Sequence, residues 1–112
     1  MAQLHISTEA ESDLHGIKEY ITKELNSPVA AQSVITRIIK AMRNLESFPE
    51  IGAPLSAVID IPTDYRYLVS GNYLTFYRTD GDDVYIIRVL YGRQDYTRIL
   101  FGEPPECEIE SE

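Results

Sequence analysis

The densest group of residues able to do chemistry is the segment YGRQDY, which places Tyr91, Arg93, Asp95 and Tyr96 within six positions. Phenols, a guanidinium and a carboxylate in one stretch can grip a target or take part in proton transfer. The same residues can equally hold a turn together, with Gly92 making the bend and Arg93 pairing with Asp95 or Asp64. Arg66, Arg78, Arg88 and Arg98 complete a set of arginines in residues 65–101, a stretch without lysine. The planar guanidinium suits two-point pairing with carboxylates or phosphates, and Tyr and Arg dominate binding hot spots. Arg78, Arg88, Arg93, Asp95, Arg98, Tyr73 and Tyr77 are therefore candidate binding residues.

Other chemistries find little support. His5 and His15 are the only histidines, and with no linking spacing they make no metal site and read as solvated. There is no phosphate loop, nucleophile elbow or zinc spacing, so no cofactor is expected. Cys107 is the sole cysteine, which rules out an intramolecular disulfide, and its neighbours Glu106 and Glu108 disfavour the thiolate. Phe48, Tyr67, Phe76 and Ile87 read as core rather than as a ligand pocket. No segment has the pattern of a signal peptide, and no apolar run approaches the roughly 20 residues that span a bilayer. A cytoplasmic protein without a membrane partner is expected.

The chain has 112 residues and a formal net charge of -8. Duplex binding draws on Lys and Arg that neutralise phosphates, so an evenly spread charge of this sign would repel nucleic acid. The spread is uneven. The last ten residues, EPPECEIESE, hold five glutamates and no base, which leaves 13 acids against 10 bases in residues 1–102, a net of about -3. One domain over 1–102 is expected, with 103–112 a disordered acidic tail detached by Pro104 and Pro105. That tail either raises solubility or shields the arginines by mimicking phosphates.

The elements that must position these residues follow from periodicity. Leu4 and Ile6 alternate with Gln3 and His5, as in a short strand. Thr8 and Glu11 have the spacing of a capping box, and Ala10, Leu14, Ile17, Ile21 and Leu25 form the stripe of a helix over 8–25. Asn26-Ser27-Pro28 caps and starts a second helix, whose stripe runs through Ala31, Val34, Ile35, Ile38, Ile39, Met42 and Leu45 until Phe48-Pro49 stops it. The short joint predicts an antiparallel helix hairpin. Residues 49–64 read as a loop. Strands are predicted at Arg66–Val69, Tyr73–Arg78 and Val84–Tyr91, a meander turned by Ser70-Gly71-Asn72 and Asp80-Gly81-Asp82. The fold class is α+β: an N-terminal strand and a helix hairpin packed on one face of an antiparallel sheet, the other face left open for Tyr and Arg.

GNYLTFYR at Gly71–Arg78 and IIRVLYGRQD at Ile86–Asp95 resemble, in order and spacing, the C-terminal sheet of the RelE/ParE toxin superfamily, on its ParE-like, plasmid-stabilization branch. The helix hairpin agrees in length and position, so the resemblance spans all but the tail and makes 1–102 a RelE/ParE-like toxin domain. It implies the toxin of a type II toxin-antitoxin system, neutralised by a cognate antitoxin protein, and leaves a homodimer and a toxin-antitoxin heterotetramer open.

Within that superfamily ParE-like members poison DNA gyrase, and RelE-like members cut mRNA on the ribosome. Metal-independent RNA cleavage needs a base, an acid and phosphate-facing cations within hydrogen-bond reach. The resemblance puts Asp64 and Tyr73 where the RelE-like branch has a catalytic lysine and arginine, and Ile99 where it has a tyrosine. Arg66 and Arg93 fall on basic positions. The expectation is a growth-inhibiting gyrase binder rather than an enzyme. The alternatives are a ribosome-dependent endoribonuclease using Arg93, Arg66, Tyr91 and Tyr96, or a degenerate, non-toxic relative.

Overall fold

A computed structural model describes residues 2–102; the acidic tail and Cys107 lie outside the described residues. The order is β1 (Gln3–Ile6), α1 (Thr8–Leu25), α2 (Pro28–Asn44), β2 (Ala53–Pro54), a 3-10 turn (Leu55–Ala57), β3 (Arg66–Ser70), β4 (Tyr73–Asp80), β5 (Asp83–Tyr91) and α3 (Tyr96–Phe101).

The α1 bounds match the sequence reading, but its cap is Ser7 rather than Thr8: the Ser7 hydroxyl accepts the Ala10 N–H at 3.0 Å. Asn26 ends α1 in the left-handed region (φ 50°). Ser27 then caps α2 by accepting the Ala30 N–H at 3.1 Å, with Pro28 in the first turn, where a missing N–H leaves no partner unmet. The second helix stops at Asn44, before Phe48-Pro49, because Leu45 N–H turns back to the Met42 carbonyl in a tighter turn.

The helices lay Ala10, Ile38, Met42 and Leu45 against Tyr77, Val84, Ile86 and Val89 of the sheet, which is the main core. Two features depart from the predicted sheet. It has five strands in the order β1-β5-β4-β3-β2, and β1 runs parallel to β5, with Gln3 opposite Asp83 and Ile6 opposite Ile86. The sheet is therefore mixed rather than wholly antiparallel, since everything from α1 to β4 serves as the crossover that returns the chain to the same direction.

The other face is not left open either. Leu55, Phe76 and Leu90 form a second cluster there, joined by Tyr65, Tyr67, Tyr96, Leu100 and Phe101, so α3 and the segment after β2 cover part of it. Phe48, expected in the core, is 62% exposed. A bulge breaks the β4–β5 register: Phe76 faces Arg88 but Tyr77 faces Ile86, which leaves Ile87 as the extra residue.

Gly52 is required by contact. A Cβ there would lie 2.7 Å from both the Tyr67 carbonyl oxygen and the Tyr77 hydroxyl. Only glycine lets its N–H reach the buried Tyr77 hydroxyl at 2.9 Å.

Candidate functional site

Parallel pairing of β1 reaches only residues 83–86 of β5. Ser7 then donates its N–H to the Ile86 carbonyl and its hydroxyl to that of Ile87, and the chain turns into α1. The rest of that edge of β5 is finished by side chains. Asp13 Oδ2 accepts the Val89 N–H at 3.0 Å, and Gln94 Oε1 accepts the Tyr91 N–H at 2.9 Å. These caps satisfy strand donors that would otherwise invite pairing with another chain.

Asp13 also holds Arg88. Nε donates to Oδ2 at 2.7 Å and Nη2 to Oδ1 at 2.8 Å, a two-point pair with side chains 27% and 12% exposed for Arg88 and Asp13. Donation to the Asp13 carboxylate raises the Arg88 pKa, burial opposing it in part. The bulge lies just before this point, and the consecutive residues Arg88 and Val89 both donate to one carboxylate.

Beside this pair lies a groove of about 660 Å³ between α1 and the β4–β5 end, lined by Ile17, Tyr20, Tyr73, Leu90, Tyr91 and Gln94 among others. The Tyr73 and Tyr91 rings pack at 5.8 Å. Burial, then the neighbouring Tyr20 and Tyr91, raise the Tyr73 pKa, which keeps its phenol neutral. With Arg88 neutralised by Asp13, the groove presents phenols and amides rather than net charge, a surface suited to protein contact.

The candidate residues do not gather in one place. Arg66 Nη1 donates to the carbonyls of Gly52 at 2.7 Å and Glu50 at 3.4 Å, so it tethers a loop. It pairs across the sheet with Tyr77, whereas Tyr91 pairs with Tyr73, four residues away along β4, or about 13 Å. Tyr96 packs on Phe76 at 5.2 Å, in the cluster on the opposite face from Tyr73 and Tyr91. Arg78 lies 3.8 Å from Asp64 and 5.4 Å over the Tyr85 ring. His5 stacks on that ring at 4.9 Å and contacts Asp83 at 2.9 Å.

Asp95 caps α3 and lies 3.6 Å from Arg98, so neither it nor Asp64 pairs with Arg93, which is exposed in the turn after β5. Tyr77, grouped on sequence with the binding residues, is fully buried and belongs to the core. Sequence reasoning missed Asp13, whose only signal is its place on the Leu14 and Ile17 side of α1. It also missed α3, whose signal is Asp95 as a cap residue before an apolar run.

A helix hairpin on a mixed five-strand sheet, with one strand edge capped by side chains and a neutral aromatic groove beside it, defines a small α+β domain. Residues 4–96 match the family described as ParE toxin of type II toxin-antitoxin system, parDE. The chain belongs to the ParE toxin family. The fold is shared with a chain of the chromosomal ParDE toxin-antitoxin system from P. aeruginosa (TM-score 0.67, 21% identity, covering 81% of this chain and 96% of that one). It is also shared with a chain of the RelBE2 toxin-antitoxin complex from Mycobacterium tuberculosis (TM-score 0.54, 22% identity, 80% and 90%). No curated protein matches the chain in sequence. Among the described residues no helix is long and apolar enough to cross a membrane.

Proposed function

We propose that this toxin arrests growth by binding DNA gyrase and that a cognate antitoxin holds it inactive. The observation that carries the reading is the dispersal of the nuclease candidates: Arg66 is committed to a loop, and Tyr91 and Tyr96 lie on opposite faces of the sheet. Acid-base cleavage of RNA needs such groups within hydrogen-bond reach of one phosphate. The ParE match over residues 4–96 agrees with a gyrase target, and the toxin-antitoxin assemblies named for both structural relatives agree with an antitoxin partner.

Inducing the protein in growing cells tests the reading. DNA-damage signalling with intact mRNA is expected. New 5' ends within codons by primer extension, abolished by Arg93→Ala, together with undamaged DNA, would establish the endoribonuclease instead. Normal growth on induction would leave a non-toxic relative.

A further inference from the structure

We propose that the outer face of α2 is a docking surface for an acidic helical segment of the antitoxin, an inference that rests on the antitoxin partnership proposed above. In a chain of net charge -8, residues 28–44 carry three cations, Arg37, Lys40 and Arg43, and no acid. All three are exposed, and none has a carboxylate partner among the described residues. By contrast, Arg78, Arg88 and Arg98 of the sheet region each have one.

Successive members of the trio are three residues apart, which places them about 4.5 Å apart along the axis and about 60° apart around it. Lys40 therefore sits near the middle of the face opposite the buried Ala31, Ile35, Ile38 and Met42, with Arg37 and Arg43 on its flanks. Toward the start of the helix the same face runs into an open trough of about 610 Å³ lined by Val29, Gln32, Ser33, Thr36, Arg37 and Lys40. Val29 there is 80% exposed.

Helix stability does not account for the trio. The helix dipole favours Arg43 in the last turn, but its effect fades before Arg37. Pairs within the helix are ruled out, because α2 has no carboxylate to offer them. Charge complementarity points to an acidic occupant. A helix with Asp or Glu at every third or fourth position repeats its charges at the axial rise of the trio, and an apolar residue about two turns beyond the charge facing Arg37 would meet Val29. Nucleic acid fits less well: three cations neutralise few phosphates, and the rest of the chain is acidic and repels a polyanion.

The test uses the full chain and the variant Arg37→Gln/Lys40→Gln/Arg43→Gln, each titrated with its cognate antitoxin at about 0.1 M and about 1 M salt, between which the screening length falls from about 10 to about 3 Å. At the lower salt the variant should bind about ten-fold more weakly, mostly through a slower on-rate, and at the higher salt the difference should vanish. Lys40→Glu, a single exposed change, should show the same trend with an unaltered melting curve. Equal affinities of chain and variants at both salts would overturn the docking surface while leaving the partnership intact. Failure of the unaltered chain to bind antitoxin would remove the partnership and the surface together. A short DNA duplex that binds the unaltered chain through the trio, with antitoxin binding indifferent to it, would assign the patch to nucleic acid and overturn the proposal.

Discussion

Asp13 holds the Arg88 guanidinium at both carboxylate oxygens, 2.7 and 2.8 Å away, and accepts the Val89 N–H with one of them. One side chain of α1 thus neutralises a half-buried cation and completes the strand edge that β1 does not reach.

Replacing Asp13 by Ala should destabilise the domain by about 1–3 kcal/mol, since it leaves a half-buried guanidinium and a strand N–H without their partner. A fall in the urea midpoint at constant slope would record it. The double variant Asp13→Ala/Arg88→Met should recover part of that loss. If the single change left the midpoint in place, the pair would have no structural weight.

At Gly52 the added methyl of alanine meets the Tyr67 carbonyl and the Tyr77 hydroxyl at 2.7 Å, and one of the two contacts is with backbone. Gly52→Ala should lower stability by about 1–3 kcal/mol, as overpacking does. A thermal melt compares it with Gly16→Ala, where a Cβ meets nothing within 4 Å. The second change should be neutral or stabilising, because alanine suits a helix better than glycine.

Much of this architecture is legible from local signals. The stripe Ala31, Ile35, Ile38 and Met42 and the pair Ser27-Pro28 mark α2, and glycines at positive φ in both hairpin turns mark the ends of β3, β4 and β5. The parallel placement of β1 is not legible, because Gln3 and Asp83 meet through tertiary packing that no neighbouring residue encodes. The arginines of residues 65–101 form a group in sequence only: folding gives most of them partners at separate sites. A count of charge by element rather than by segment would have singled out α2, where three bases stand without an acid.

Thr75 is fully buried in β4, and its hydroxyl has no hydrogen-bond partner among the described residues. Thr75→Val exchanges that hydroxyl for a methyl of similar shape beside Val89 and should raise stability by about 1 kcal/mol. Chemical denaturation reads the change. A loss of stability would mean that the hydroxyl is satisfied in solution.

Burial raises the Tyr77 pKa above its ordinary value of 10.0, with the Gly52 hydrogen bond and Arg66 opposing in part. The folded state keeps this proton longer than the unfolded chain does. Its contribution to stability is therefore complete below pH 10 and lost as pH rises through the folded pKa. Stability should fall in that alkaline window. Tyr77→Phe should be weaker near neutrality by about 1–3 kcal/mol, because the Gly52 N–H loses its acceptor, but its alkaline decline should be shallower. Parallel declines for the two proteins would assign the effect to other groups.

The partnership of β1 with β5 also sets an order of events during synthesis. The first strand leaves the ribosome early, yet its register partners, Asp83 to Ile86, follow only after both helices and three further strands. Pairing across so long a separation is slow, and until it happens β1 has no strand to join. A nascent chain, or one broken off before β5, has neither the Asp13–Arg88 clasp nor the groove beside it, so the groove exists only once β5 has joined the sheet.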